Sequence, residues 1–145
     1  MNDIHYGKAG IQSRLTTQFI GRNLKFLESV DSTNDYLKQL ASQEACEGTV
    51  VIANEQTKGK GRLGRVWQSG GGTGIYMSVL LKPKIHPTQI QSLTLAAAVA
   101  VCQALEPYQV DGLGIKWPND ILVDKRKLCG ILTELSAEAE QVSWV

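Results

Sequence analysis

Residues 49–81, TVVIANEQTKGKGRLGRVWQSGGGTGIYMSVLL, place two apolar runs on either side of a glycine-rich basic segment. The first run, residues 49–53, predicts a strand because β-branched side chains favour extended backbone. The second run, residues 74–81, is apolar on both alternations, which predicts a strand at the centre of a sheet. Glycines break any helical period between the runs, so the stretch is predicted to be a strand, a loop and a strand.

A strand and a helix are predicted before this stretch. Residues 23–30 alternate apolar and polar side chains, as a half-buried strand does. Residues 31–33 then offer N-caps to a helix that runs to about Ser42. Residues 1–22 show little periodicity, so we expect a leader or linker there and a single domain over residues 23–145.

A long helix and several short strands are predicted after it. Pro87 stands at a first helical position, and apolar side chains recur at helical spacing until Pro107. Short strands are predicted at residues 113–117 and 143–145, with a β-hairpin over residues 121–135. Because strands and helices mix without regular βαβ alternation, we expect an α+β fold, with a mixed, largely antiparallel sheet covered by helices.

The composition is that of an ordinary globular domain. The chain has 145 residues, 43% hydrophobic and 20% charged, with a formal net charge of +1, which argues against disorder and strongly charged tails. The longest apolar run, residues 95–102, is far short of the ~20 residues of a membrane helix. We therefore expect a cytoplasmic protein with no membrane partner. Cys46, Cys102 and Cys129 lack paired spacing, so neither a disulfide nor a metal site is predicted.

The modest net charge hides a basic segment. No Asp or Glu stands between Glu55 and Glu106, where six cations lie: Lys58, Lys60, Arg62, Arg65, Lys82 and Lys84. Seven of the 14 glycines share this segment, and missing side chains let backbone N–H groups approach a phosphate or carboxylate closely. The pattern predicts an anionic ligand.

Known nucleotide-binding glycine patterns do not fit this segment. The G-x-G-x-x-G spacing from Gly59 needs a following helix, which the glycines at residues 70–72 oppose. The kinase motifs H-R-D and D-F-G and the Walker spacing are absent. In the remaining strand-loop-strand element, Arg62 or Arg65 could neutralise a phosphoryl group and Trp67 could stack on a base. A solvated turn around a core tryptophan and a single-stranded nucleic-acid site are alternatives.

Two further polar clusters are candidates for a site. Lys116 stands in K-W-P-N-D, on the strand face opposite Ile115 and Trp117, and is either an ordinary solvated lysine or a rigidly held cation. Residues 31–34, D-S-T-N, either cap the predicted helix or bind a polar heterocycle, whose donors and acceptors must be paired when buried.

Taken together, three segments resemble the catalytic domain of the biotin protein ligases. They are S-T-N before a helix, Q-T-K-G-K-G-R-L-G-R-V-W, and K-W-P-N-D followed by R-K-L-C-G-I-L-T-E. The likeness runs from about residue 23 to residue 145, and it is specific because G-x-G-R-x-G-R-x-W and K-W-P-N-D occur jointly. It implies the biotin protein ligase fold, which is similar to that of class II aminoacyl-tRNA synthetases.

The resemblance also implies an activity, that of a biotin–[acetyl-CoA-carboxylase] ligase. That family joins the carboxylate of biotin to the α-phosphate of ATP and releases pyrophosphate. It then passes the biotinyl group from biotinyl-5′-AMP to a lysine of the biotin carboxyl carrier protein domain of a biotin-dependent carboxylase. Mg²⁺ would accompany ATP, although no metal-ligand spacing is readable.

By the same similarity, each candidate residue receives a role. The ureido ring of biotin would be held by Ser32, Thr33 and Gln56, beside Asn34, under the backbone of Lys60 and Gly61. Arg62 and Lys116, the catalytic pair, would hold the biotin carboxylate and the phosphate. Arg65 and Trp67 would join them in binding ATP and the adenylate, with the indole stacked on adenine. The family has arginine where this chain has Lys60.

The resemblance further bears on neighbouring segments and partners. The family continues with a G-I-G-I-N strand and commonly a small C-terminal domain, so we expect an N-terminal portion of a longer ligase. No helix-turn-helix precedes the matched segment, so no DNA partner is expected from it, and a homodimer is compatible with the family. Two alternatives are a lipoate-type ligase of the same fold and a non-enzymatic nucleic-acid-binding module that uses the basic loop.

Overall fold

The computed structural model describes residues 7–138 and 140–145. Residues 1–6 of the predicted leader lie outside this described part. The described residues form two compact units: those up to Lys82 together with Trp144–Val145, and Pro83–Ser143.

The first unit contains a three-stranded mixed sheet and two helices. Its elements are, in chain order, α1 (Lys8–Gln12), β1 (Leu24–Val30), α2 (Thr33–Ser42), β2 (Val50–Gln56), a 3₁₀ turn (Arg62–Gly64) and β3 (Tyr76–Val79). The strand order is β1-β2-β3, with β1 parallel to β2 and β2 antiparallel to β3. The predicted strand-helix-strand-loop-strand order is confirmed, and α1 is a short helix within the predicted leader.

α2 covers the sheet through an apolar face set by its helical spacing. Leu37 and Ala41, four residues apart, pack with Val51 of β2 and with Leu80 in a buried cluster. The side chains packed around that cluster are Leu27, Tyr36, Leu40, Ala45 and Trp144. The helix begins where predicted, because the Ser32 side chain caps it by accepting a hydrogen bond from the Asp35 backbone N–H.

The prediction that residues 74–81 form a central strand is wrong for β3. In this sheet β2 is central and β3 is at the edge, with Ile75 83% and Met77 52% exposed. At Leu81 a further backbone partner joins, since Leu81 and Val145 exchange two N–H···O bonds of 2.9 Å. Apolar side chains on both faces of a strand favour burial of both faces. They do not determine which strand is at the centre of the sheet.

The second unit contains the long helix and two small sheets. Its elements are a 3₁₀ turn (Pro87–Gln89), α3 (Ile90–Leu105), a 3₁₀ turn (Glu106–Tyr108), β4 (Leu113–Lys116), β5 (Asp120–Val123), β6 (Arg126–Gly130), β7 (Ser136–Glu138) and β8 (Gln141–Trp144), whose last residue belongs to the first unit. β4, β5 and β6 form an antiparallel meander, and β7 pairs with β8. α3 contacts β4 and β5. The largely antiparallel α+β class is confirmed.

The predicted hairpin is present but shorter than expected. Asp124 and Lys125 have φ of 47° and 65°, the left-handed conformation of a two-residue hairpin turn. β6 ends at Gly130 rather than near Leu135. The Ile131 N–H donates to the Asn119 carbonyl oxygen at 2.8 Å, one position beyond the Asp120–Gly130 pair in the same register. Residues 132–135 lie outside the strand.

One helical stretch in the described residues, Pro87–Tyr108, is long and apolar enough to cross a membrane by length and composition alone. Core helices of soluble proteins, which are mostly buried, pass the same test, but this stretch is largely exposed and Ala98 is the buried residue of α3. Within it, α3 contacts β4 and β5.

Candidate functional site

Buried hydroxyl side chains gather at the N-terminus of α2. Ser32 and Thr33 begin the helix, Ser69 follows the basic loop, and Ser78 lies on β3; all four are buried. Buried hydroxyls are costly unless they are hydrogen-bonded. These four side chains, with Asn34 and Gln56, are hereafter the polar network.

Gln56 links the end of β2 to both sides of the polar network. Its Oε1 accepts hydrogen bonds from the Thr33 backbone N–H at 2.8 Å and the Thr33 hydroxyl at 3.0 Å. Its Nε2 donates to Ser69 Oγ at 3.0 Å. Three segments distant in sequence are thus held together by one amide side chain. The structure thus brings Gln56 to Thr33 and to its neighbours Ser32 and Asn34, the four residues that the resemblance assigned to the ureido ring.

Ser78 is a member that the sequence analysis missed. Its Oγ lies 2.8 Å from Thr33 Oγ1 and also donates to Asn34 Oδ1. A serine in an otherwise apolar strand was the available signal, because a buried hydroxyl needs a partner across the fold. Ser69 was missed for a different reason, since it lies among glycines that predict only a loop.

The glycine-rich basic segment forms a small hairpin, Gly59 through Trp67. The Gly61 N–H donates to the Arg65 carbonyl oxygen at 2.7 Å, and the Trp67 N–H donates to the Gly59 carbonyl oxygen at 2.8 Å. Arg62–Gly64 forms the 3₁₀ turn at its tip, with Leu63 and Gly64 at φ of 57° and 72°. The loop prediction is confirmed, and the glycine-rich hairpin has a defined backbone.

Gly59 is the position where this hairpin tolerates no side chain. A Cβ there would lie 2.3 Å from the Trp67 carbonyl oxygen and 2.6 Å from Ser69 Oγ. We expect Gly59→Ala to destabilise the chain by about 1–3 kcal/mol, the usual cost of overpacking. A thermal melt measures this, with Gly64→Asn as the control, because Gly64 has open space around it and asparagine tolerates its left-handed φ. Equal melting temperatures for Gly59→Ala and the parent chain would contradict the hairpin geometry.

Two ion pairs join the hairpin and its base to the start of α2. Lys60 Nζ lies 2.6 Å from Asp35 Oδ2 and 2.7 Å from its Oδ1, and Lys58 Nζ lies 2.8 Å from Asp31 Oδ2. The hydrogen bond from Lys60 is the main cause that lowers the pKa of Asp35, and that from Lys58 lowers the pKa of Asp31. The side chain of Lys60 therefore has a partner within the protein. That partner, Asp35, was not singled out from the sequence, whereas Asp31 belongs to the D-S-T-N cluster that was.

The Asp35–Lys60 pair predicts a pH dependence. Because the pKa of Asp35 is lowered in the folded chain, the stabilisation is fully present above its ordinary value of 3.8 and is lost as the pH falls through the lowered pKa. We expect the Asp35 carboxyl carbon to titrate below pH 3.8 in an NMR experiment. Lys60→Gln should move that midpoint upwards, whereas an unchanged midpoint would show that Lys60 does not perturb this carboxyl.

The two arginines proposed for the phosphate side lie at the hairpin tip, and the indole lies at its base. Arg62 begins the 3₁₀ turn and Arg65 follows it, both with exposed side chains, whereas Trp67 is half-buried. The structure thus places Arg62, Arg65 and Trp67 on the same short hairpin as the Lys60 and Gly61 backbone. Their roles toward a ligand stay predictions.

The K-W-P-N-D cluster lies in the second unit. Lys116 ends β4 with an exposed side chain, and a cis peptide bond joins Trp117 and Pro118. Asp120 pairs with Lys116 in the strand register, but its carboxylate contacts Lys127 Nζ at 2.7 Å. Lys127, in R-K-L-C-G, is an exposed cation on β6 that the sequence analysis did not single out, although it had quoted the motif.

The described residues contain no cluster of side chains that would form a metal site by themselves. Among residues 7–138 and 140–145, no group of three or more His, Cys, Asp or Glu side chains could hold a metal ion. A magnesium ion needs only one or two carboxylates when substrate phosphates supply its other ligands. The Mg²⁺ expectation thus depends on a bound nucleotide.

Comparison with curated proteins gives a consistent set of relatives. The chain matches the Biotin/lipoate A/B protein ligase family over residues 26–144. It is 45% identical over 132 residues to the bifunctional ligase/repressor BirA of Bacillus spizizenii, covering 91% of this chain and 41% of that protein. It is 38% identical over 132 residues to the biotin–[acetyl-CoA-carboxylase] ligase of Mycobacterium tuberculosis, covering 84% of this chain and 50% of that protein.

The similar solved structures are also biotin protein ligases. A biotin protein ligase from Aquifex aeolicus in complex with biotin and ATP aligns with a TM-score of 0.68 at 38% identity, over 85% of this chain and 51% of that one. A biotin protein ligase from Leishmania major in complex with biotinyl-5-AMP aligns with a TM-score of 0.69 at 28% identity, over 83% and 54%. The chain spans about half the length of the relatives that it matches.

Proposed function

This chain belongs to the biotin/lipoate A/B protein ligase family, and from that premise we propose that it serves the ATP-dependent activation of biotin and its transfer to a carrier lysine. The observation that carries the proposal is the joining of two sites in one unit. The polar network can pair with a polar heterocycle, and the cationic hairpin attached to it through Gln56 and Ser69 can accept an anion. A biotin adenylate has both groups.

In the first step, a carboxylate oxygen of biotin attacks the α-phosphorus of ATP. A new O–P bond forms, the bond between the α-phosphorus and its bridging oxygen breaks, and pyrophosphate leaves. Two unit charges 4 Å apart repel by roughly 4 kcal/mol at an effective dielectric of 20. Fixed cations offset this repulsion in the transition state. Mg²⁺, when bound with ATP, would share that neutralisation.

Different residues near the hairpin are proposed to bind different parts of the adenylate. Ser32, Thr33 and Gln56, with Asn34, would pair with the ureido ring, and the backbone of Lys60 and Gly61 would close over it. Neutral side chains are assigned to the uncharged ureido ring, and the cations are assigned to the anionic carboxylate and phosphate. Arg62 would hold the carboxylate and phosphate, while Arg65 and Trp67 would contact the phosphate and adenine.

Lys116 is a further cation of the proposal. We assign Lys116 to the biotin carboxylate and the phosphate, on the strength of the K-W-P-N-D motif. Lys127 is a second candidate, because the carboxylate of the partly buried Asp120 fixes its ammonium at 2.7 Å. The two lysines are distinguished by substitution, as argued in the Discussion.

In the second step, a lysine amine of a carrier attacks the acyl carbon of biotinyl-5′-AMP, an amide forms, and AMP leaves. The partner proposed here is the biotin carboxyl carrier protein domain of a biotin-dependent carboxylase.

We further propose that the protein is cytoplasmic and that it forms a homodimer. In this proposal residues 1–22 are a leader to the ligase segment, which begins at residue 23. No DNA partner is proposed.

The substrate is tested by labelling a carrier domain. The protein, expressed at the full length that its gene encodes, is incubated with ATP, Mg²⁺, a carrier domain and either biotin or lipoate. We expect a mass increase of the carrier with biotin and none with lipoate. Labelling with lipoate alone would favour the lipoate-type ligase. No labelling, with retention of single-stranded nucleic acid instead, would favour the nucleic-acid-binding module.

A further inference from the structure

The two ion pairs between the hairpin region and the start of α2 differ in contact geometry and in solvent exposure. Lys60 Nζ approaches both oxygens of Asp35, and the two side chains are 43% and 33% exposed. Lys58 and Asp31 are 73% and 60% exposed. Exposed ion pairs contribute little because solvent screens them. The Asp35–Lys60 pair is therefore the stronger attachment of the hairpin.

Asp35 is itself fixed by its place in the helix. It lies in the first turn of α2, where the N-terminal end of the helix dipole favours a carboxylate. Its backbone N–H donates to Ser32 Oγ, and Lys38 Nζ lies 3.4 Å from its Oδ1. The same turn carries Thr33 and Asn34 of the polar network. One rigid turn thus holds both the network and the carboxylate that binds Lys60.

We propose that Asp35 is a positioning residue, whose carboxylate holds Lys60 and with it the strand from Gly59 to Gly61 against the N-terminal turn of α2. The backbone of Lys60 and Gly61 is then kept beside the polar network, where it would close over biotin. The consequence for biotin rests on the function proposed above. The position of the hairpin is a property of the protein alone.

This role accounts for the side chain of Lys60, whose ammonium lies within 2.7 Å of both Asp35 carboxylate oxygens. The side chain of residue 60 is accordingly committed to the protein, and residue 60 would act on a ligand through its backbone.

The test measures amide hydrogen exchange in variants that remove or swap the charges of Asp35 and Lys60. Asp35→Asn keeps the shape of the side chain and removes its charge. We expect faster amide exchange at Gly61 and Trp67 in the ligand-free protein, and biotin binding weakened by about twofold to fivefold, the range of a partly exposed ion pair. Lys60→Asp should behave similarly, and Asp35→Lys combined with Lys60→Asp should recover much of the protection. Glu44→Gln, an exposed acid after α2, is the matched control.

The outcomes separate the two proposals. Unchanged exchange at Gly61 and Trp67 in Asp35→Asn, or no recovery in the double variant at a melting temperature equal to that of the parent, would overturn the positioning role. Failure of the parent protein to bind biotin in calorimetry would overturn the proposed function instead. The exchange comparison would still decide the role of Asp35.

Discussion

Arg62→Ala is expected to weaken retention of biotinyl-5′-AMP by roughly tenfold to a hundredfold, with a much smaller effect on free biotin. The phosphate exists only in the adenylate, and losing a hydrogen bond to a charged group costs about 1.5–3 kcal/mol. Calorimetry with biotin and with biotinyl-5′-AMP measures both affinities. Arg14→Ala removes an exposed arginine outside the site and serves as the control. Equal losses for the two ligands would remove Arg62 from the phosphate.

Lys116→Ala is expected to abolish adenylate formation in a single turnover while leaving the melting temperature nearly unchanged. The side chain is exposed at the end of β4, so it contributes little to the core. Lys116→Arg should not rescue activity, because the guanidinium fork changes the geometry although the charge is kept. Lys84→Ala, at another exposed lysine, is the control.

Lys127→Ala belongs in the same experiment. If Lys116→Ala formed adenylate at the parental rate, Lys116 would be an ordinary solvated lysine. If Lys127→Ala then abolished adenylate formation, the required cation would be Lys127. A loss of activity in Lys116→Ala that accompanied unfolding would make the role of Lys116 structural.

Local signals in the sequence predicted most of the fold. The cap at Ser32 located the start of α2, and the prolines at 87 and 107 bracketed the long helix. The edge position of β3 was not predicted, because apolar side chains on both faces do not determine strand order. The early end of β6 was not predicted either, because an apolar run continues past Gly130.

The candidate site was predicted in parts. Ser32, Thr33 and Gln56 were proposed as hydrogen-bonding residues. The structure joins Thr33 to Gln56 directly, and the Ser32 side chain caps α2 through the Asp35 backbone N–H. Ser78 and Asp35 were missed because their partners lie more than twenty residues away in sequence. Which acid pairs with which lysine depends on the fold that brings them together, and a charge pattern along the chain does not carry that information.

The most direct measurement of the central claim is biotin-dependent exchange of labelled pyrophosphate into ATP, made with the full-length product of the gene. Adenylate formation is reversible, so an enzyme that joins biotin to AMP returns label from pyrophosphate to ATP only when biotin is present. We predict exchange with biotin, none with lipoate, and strongly reduced exchange in Arg62→Ala. A folded protein that shows no biotin-dependent exchange would contradict the account.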